Sequence, residues 1–225
     1  MMLHLKSVLL PDELRHMRET LARADWVDGR VTSGSQPADL KRNRQLPEQG
    51  AASRQLQEIV LTALRRNQLF FSAALPGKIG PPLFNCYQAG SYLDDHIDVA
   101  MRYTAGGERV RGDLSCTLFL SDPDEYEGGE LVIADQWRDE SVRLAAGDML
   151  LYPANRIHRV QPVRMGTRYA SFFWIESMVR SGEQRELLFE MDRNLMQLRG
   201  QDPADPSLLA LTGVYHNLLR MWADS

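Results

Sequence analysis

Between about Leu83 and Glu176 the sequence is a series of short apolar segments, each cut off by turn-forming residues, with no helix-length segment between any two. The segments are Leu83–Gln88, Leu114–Leu120, Glu130–Ile133, Ser141–Leu144, Met149–Tyr152, His158–Val163 and Arg168–Ile175. Their breaks are rich in Gly, Pro, Asp and Ser: Gly106-Gly107, Ser121-Asp122-Pro123, Gly128-Gly129, Ala146-Gly147-Asp148 and Met165-Gly166. Such residues supply the dihedrals that tight turns need. Parallel pairing needs long crossovers, usually helical, and none fits here. The pattern therefore predicts an antiparallel sandwich or barrel.

Helices are expected on both sides of this zone. Pro11 opens a segment with Leu14, Met17 and Leu21 on one face, and Leu56, Ile59, Val60, Ala63 and Leu64 form a second stripe. Both have the spacing of a helix buried on one side. The polar stretch from Asp28 to Gly50 reads as extended chain or loop. After the strands, Ser181 with Gln184 fits a capping box, and Leu187, Leu188, Met191, Leu195 and Leu198 make a stripe ending at Gly200. Asp205-Pro206 fits an N-cap and first-turn proline, followed by Leu208, Leu211, Tyr215, Leu218 and Trp222 on one face. The fold class is thus mainly β with α flanks. Division is expected at 1–176, with a strand core over about 78–176, and at 177–225, a C-terminal helical segment.

The chain has 225 residues, 44% of them hydrophobic, which is enough apolar surface for a core and excludes a mainly disordered chain. Its net charge of −4 argues against nucleic acid as a partner, which needs a basic face. The clusters Lys41, Arg42, Arg44 and Arg65, Arg66 are expected to be solvated surface charge. Cys86 and Cys116, each in an apolar strand-like run, are expected as buried free thiols. Met1 to Leu10 has no sustained apolar core of a signal peptide, and no run of about 18 apolar residues occurs. The expected setting is cytoplasmic, without membrane contact.

Five histidines are present, and only His96 and His158 fall in the strand zone. His96-Ile97-Asp98 places an imidazole and a carboxylate on one face of an extended chain, because residues i and i+2 share a face. With His158 as the third donor this is the two-histidine, one-carboxylate set of non-haem Fe(II) oxygenases. Zinc accepts the same atoms. Arg168, ten residues after His158 in an apolar strand, favours iron. A guanidinium there needs an anion, and a dicarboxylate chelating the metal offers its far end as a bidentate partner. If the two segments form a hairpin, their even separation lets both side chains face one way. Ala170, Phe172 and Trp174 then alternate onto the face of Arg168, while Asp94 and Asp95 lie beside His96, near enough to orient it. The acidic loop Asp122 to Glu127 with Gly128-Gly129 reads either as a substrate lid or as plain turn chemistry.

These residues carry a family likeness. Trp26-Val27-Asp28-Gly29-Arg30, Asn43-Arg44-Gln45-Leu46, Asn85-Cys86-Tyr87 with Gly90, Asp95-His96-Ile97-Asp98, Gly128-Gly129-Glu130-Leu131, Gly147-Asp148, Tyr152-Pro153, Ile157-His158-Arg159-Val160 and Gly166-Thr167-Arg168 together resemble the bacterial PKHD-type hydroxylases. These belong to the Fe(II)- and 2-oxoglutarate-dependent dioxygenases. The resemblance implies a double-stranded β-helix (jelly-roll) core with helical flanks. It implies Fe(2+) on His96, Asp98 and His158, and 2-oxoglutarate on Arg168. Tyr87 resembles a tyrosine that hydrogen-bonds the cosubstrate in related prolyl hydroxylases. The resemblance further implies O2 as cosubstrate, succinate and CO2 as products, use of L-ascorbate and a link to bacterial iron uptake. The substrate is left open as a peptide, a free amino acid or a siderophore-like molecule. A homodimer is expected, with the C-terminal helices read either as its interface or as packing on the barrel. Three rivals remain: a non-catalytic cupin-like metal-binding or sensory module, a zinc hydrolase, and a nucleic-acid demethylase of the AlkB group. The last carries a second arginine where this chain has Trp174.

Overall fold

The computed structural model describes residues 1–32, 40–135 and 137–224. Part of the polar stretch read as loop, 33–39, lies outside the described residues. The N-terminal zone runs through β1 (Leu3–Leu5), α1 (Pro11–Ala22), β2 (Val27–Asp28), a 3-10 turn (Gly29–Thr32), β3 (Lys41–Arg42), β4 (Arg44–Gln45), α2 (Ala51–Arg65) and α3 (Gln68–Ala74). The strand zone opens with β5 (Pro76–Ile79), β6 (Leu83–Gln88), β7 (Tyr92–His96), β8 (Met101–Tyr103), β9 (Arg109–Arg111) and β10 (Leu114–Phe119). It continues with β11 (Tyr126–Gly128), β12 (Leu131–Ile133), β13 (Glu140–Val142), β14 (Met149–Pro153), β15 (His158–Val160) and β16 (Val163–Ser177). Two helices follow, α4 (Gly182–Gln201) and α5 (Pro206–Trp222).

The strands form two facing sheets, a jelly roll. The larger has the order β1-β14-β10-β16-β6-β4-β2, with β5 and β11 also pairing along the long β16. The smaller has the order β13-β12-β15-β7-β3, and β8 and β9 pair apart from both. The pairings are antiparallel, as the turn-broken segments predict. Tyr87, Phe119, Leu150 and Tyr152 of the larger sheet meet Leu131, Ile133 and Val160 of the smaller one between the layers.

Strict alternation gives the larger sheet two different faces. Phe84, Cys116, Leu118, Leu151 and Phe173 point outward, onto Met17 and Leu21 of α1 and Leu56, Val60 and Leu64 of α2. Their neighbours Asn85, Tyr87, Thr117, Tyr152, Arg168 and Phe172 line the space between the sheets. Each fully buried Leu or Phe of this core contributes about 1.5–3 kcal/mol of transfer free energy.

The helix signals in the sequence have visible counterparts. The Asp205 carboxylate accepts from the Ser207 backbone N–H at 2.8 Å, and the Ser181 hydroxyl accepts from that of Gln184 at 3.3 Å. Glu13 accepts from the Leu10 N–H at 2.8 Å at the start of α1. Two details differ. Gly200 lies inside α4, which continues to Gln201 and stops one residue before Pro203. Leu187 and Leu211 are exposed, because Leu188 and Leu195 in α4 and Leu208 and Tyr215 in α5 take the inward positions. Exact stripe membership depends on how a helix is rotated against its neighbour, which spacing alone does not fix.

Cys86 and Cys116 are both buried free thiols. Burial pushes the Cys86 thiol up to about 11 and the Cys116 thiol well above the ordinary thiol range. The thiolate is the reactive form. Neither should react with an alkylating or disulfide reagent in native protein at neutral pH, and two should react after denaturation. Mass spectrometry of iodoacetamide-treated protein checks this.

Candidate metal and anion site

His96 closes β7, and His158 opens β15. The two strands are neighbours in the smaller sheet, in a register that sets His158 directly across from His96. Asp98 follows two residues after His96. One donor atom from each of the three residues lies within 4.8 Å of the others, a set able to hold a metal ion. The two imidazole centroids are 4.1 Å apart.

Backbone carbonyls fix both rings. The Asp94 carbonyl lies 2.8 Å from His96 Nδ1, and the Arg156 carbonyl lies 3.0 Å from His158 Nδ1. A carbonyl only accepts, so each Nδ1 carries the hydrogen and each Nε2 keeps its lone pair. Burial and the neighbouring His158 hold His96 below the ordinary imidazole range, which favours the neutral ring. Asp98 Oδ2 accepts from the Ser115 hydroxyl at 2.6 Å and lies 3.6 Å from His158 Nε2. A partner that orients a ligand carboxylate is commonly worth about 10–100-fold in metal affinity. Ser115→Ala should therefore weaken binding of a divalent metal by about that factor, with the fold intact, as isothermal titration with Mn(II) would read.

Arg168 faces the same cavity of about 380 Å³ from β16. It is only 2% exposed. Its guanidinium lies over Tyr87 at 5.2 Å and Phe119 at 5.3 Å from the ring centroids. Among the described residues no carboxylate pairs with it, and its Nε has no hydrogen-bond partner. The aromatic faces compensate part of the buried charge, and an unpaired buried cation remains costly. Tyr87 sits directly across from Arg168 on β6, and its hydroxyl accepts from Asn85 Nδ2 at 3.3 Å. Burial raises the Tyr87 pKa against the opposing pull of Arg168, so the phenol stays protonated.

The cavity thus brings together His96, Asp98, His158, Arg168 and Tyr87. Ala170, Phe172 and Trp174 line it with them, as alternation from Arg168 predicts. The hairpin premise is corrected, however. His158 lies in the smaller sheet and Arg168 in the larger, so they meet across the sandwich rather than along one ladder. Asp94 orients His96 through its backbone carbonyl, while the Asp95 carboxylate pairs with Arg159 at 3.2 Å.

Lys41 is the clearest departure from the sequence reading. It is buried and lines the cavity, where a solvated charge was expected, while Arg42 and Arg44 are exposed. The chain passes from the smaller sheet (β3) to the larger (β4) through Asn43, and Lys41 sits at that seam. No local pattern announces such a crossing. Ser115, Thr117 and Asn85 were missed too. Ser115 and Thr117 carry a usable signal, two small polar residues at i and i+2 in an otherwise apolar strand.

No residue from Asp122 to Glu130 lines the cavity in this structure. Gly128 and Gly129 have φ of +73° and +68°, and a Cβ on Gly129 would approach Arg168 Cδ to 3.1 Å. Positive φ at both positions, close packing of Gly129 against Val163 and Arg168, and the approach of Gly128 to the Pro162 carbonyl explain the glycine pair.

Comparison with known proteins agrees with this geometry. Residues 82–176 match the 2OG-Fe(II) oxygenase superfamily, and residues 183–224 match the PKHD-type hydroxylase C-terminal domain. The chain is 56% identical to a PKHD-type hydroxylase of Variovorax paradoxus (strain S110), across the whole of both chains. It is 53% identical to one of Pseudomonas putida (strain W619), again over both full lengths. In fold it is similar to a prolyl hydroxylase of Trichoplax adhaerens solved with a hypoxia inducible factor peptide fragment. That likeness has a TM-score of 0.56 and 15% identity, and it covers 83% of this chain and 86% of the other. Among the described residues no helix is long and apolar enough to cross a membrane. The chain belongs to the PKHD-type hydroxylases, 2-oxoglutarate-dependent enzymes of the 2OG-Fe(II) oxygenase superfamily.

Proposed function

We propose that His96, Asp98 and His158 hold Fe(II), and that Arg168, aided by Tyr87, binds the far carboxylate of 2-oxoglutarate. The observation that carries this reading is the buried Arg168, without an anionic partner among the described residues and in one cavity with a two-histidine, one-carboxylate set. Nitrogen and carboxylate donors suit Fe(II), and a bidentate carboxylate suits the guanidinium fork.

When bound, the metal and cosubstrate would supply oxidative decarboxylation of 2-oxoglutarate to succinate and CO2, coupled to hydroxylation of a C–H bond in the substrate. The chain's own residues do the positioning. The carbonyls of Asp94 and Arg156 keep both imidazoles in the donor tautomer. Ser115 holds Asp98 in place. Ala170, Phe172 and Trp174 shield the site from bulk water, which strengthens the Arg168 contact.

Two finer assignments rest on the family resemblance alone, L-ascorbate as reductant and a role in bacterial iron uptake, while a cytoplasmic setting is proposed from the sequence pattern. The C-terminal helices, packed around Leu188, Leu195, Leu208 and Tyr215, are assigned as an appended unit and the contact of a homodimer. Nucleic acid is not assigned as a partner, in keeping with the acidic net charge of −4.

The test is anaerobic titration of 2-oxoglutarate into Fe(II)-loaded protein, followed by measurement of succinate after oxygen is admitted. Saturable binding and succinate release support the reading. A protein that binds metal but neither binds nor consumes 2-oxoglutarate would be the non-catalytic cupin-like module instead.

A further inference from the structure

The cavity carries a second cation that this chemistry does not use. Arg102, in β8, lies over the indole of Trp174 with its guanidinium carbon 3.5 Å from the ring centroid. It is half-buried, and burial lowers its pKa against the opposing pull of Asp98 and Glu48. Among the described residues it makes no hydrogen bond and no ion pair. Asp98 already belongs to the metal-competent set and accepts from Ser115. Glu48, half-buried nearby, acts on Arg102 only at longer range.

The surroundings extend the pattern. Lys41 lines the same cavity, 5.9 Å from the Phe172 centroid, and hydrogen-bonds Gln45 at 3.1 Å. Burial first and Arg102 second bring its pKa down to about 8, so two cations share one region of the wall. Val99, Met101 and Tyr103 line the same cavity and are all substantially exposed. Several exposed apolar side chains gathered at one cavity are more consistent with a binding site than singly scattered ones.

We infer that Arg102 binds a carboxylate on the substrate to be hydroxylated, whose remaining body is apolar and rests on the rim formed by Val99, Met101 and Tyr103. The inference rests on the proposed function in that it takes Arg168 as the 2-oxoglutarate anchor. The two arginines occupy different depths. Arg168 is sealed in the interior, suited to a ligand enclosed before the substrate arrives. Arg102 is open to the mouth and held by Trp174, which orients its planar fork for a bidentate partner. Stacking also reduces the side-chain freedom lost when an anion docks.

The test uses Fe(II)-loaded protein saturated with 2-oxoglutarate under anaerobic conditions, titrated with indole-3-acetate and, separately, indole-3-acetamide. The two probes share size and ring and differ in charge. The acid should bind about tenfold more tightly, the equivalent of one charge-assisted contact. Arg102→Met keeps an apolar stem over Trp174 and should abolish the preference. Arg102→Lys should retain part of it, and Glu48→Gln should enlarge it. A second pair, an apolar tripeptide with free or amidated C-terminus, separates a small acid from a chain end as the carboxylate's source. Preference for the acid in either pair, lost in Arg102→Met of unchanged melting temperature, supports the inference. Equal affinities in both pairs, no saturable binding, or a preference that survives Arg102→Met overturns it. Wild-type 2-oxoglutarate binding is measured first, so failure of the cosubstrate assignment is seen separately.

Discussion

Replacing Arg168 with methionine will weaken 2-oxoglutarate binding by about thirtyfold or more and, in the ligand-free protein, will raise the melting temperature. Both outcomes come from one fact, a guanidinium 2% exposed with no carboxylate paired to it among the described residues. Truncating one partner of a buried charge pair costs about 2–5 kcal/mol of binding. That corresponds to a loss of roughly thirtyfold to several thousandfold in affinity. Without ligand the sign reverses, because an unpaired buried charge opposes folding and methionine fills similar space without it. Contacts with Tyr87 and Phe119 reduce the gain, so about 1 kcal/mol is expected. Arg168→Lys should stay impaired, since a point charge on a flexible stem does not reproduce the fork. Calorimetry of the ligand-free proteins and anaerobic titration with 2-oxoglutarate read the two effects independently. A ligand-free variant less stable than wild type, with 2-oxoglutarate still bound, would show that Arg168 is a structural cation.

Asp98→Ala should remove bound metal almost entirely. Its carboxylate is the one anionic donor of the three-residue set, and it sits between His158 and the Ser115 hydroxyl. Losing a partner that merely orients such a ligand costs about 10–100-fold, so losing the ligand itself should exceed about a hundredfold. Asp98→Asn keeps the shape and can keep the Ser115 contact, but it gives up the charge. It should fall with the alanine variant in metal content while matching wild type in stability. Metal analysis after Fe(II) loading and dialysis reads the loss, and turnover should fall in parallel. A variant retaining stoichiometric iron would remove Asp98 from the assignment.

What could be read from the sequence, and what could not, follows from the range of each interaction. His96, Asp98, His158 and Arg168 were legible because their side-chain chemistry has few uses in an apolar strand zone. The antiparallel architecture was legible because turn residues and short apolar runs are local. The route by which His158 and Arg168 meet was not. It depends on which sheet each strand joins, and β15 and β16 join different ones although only two residues separate them. Lys41 escaped for the same reason, since its burial comes from the crossing between sheets rather than from its neighbours. The two-residue strands β3 and β4 pair with the longer β7 and β6, and β2 pairs with β4, so no periodicity of their own could announce them. Leu187 and Gly200 misled because amphipathic spacing defines a stripe but not its edges.

The two-faced larger sheet also bears on how such a chain can change over generations. Between Arg168 and Ile175 the residues of β16 alternate between the cavity and the helical layer, with Arg168 and Phe172 on one side and Phe173 and Ile175 on the other. Single replacements on the cavity side can retune the site without touching the support beneath it. Insertion or deletion of one residue is different, because it exchanges the two sides downstream at once. A guanidinium would then face Met17 and Leu56, while bulky apolar groups would fill the cavity. Diversification of this scaffold should therefore proceed by substitution within β16 and by length changes in the loops outside it. Strand length itself should be inherited almost as strictly as the metal-competent residues.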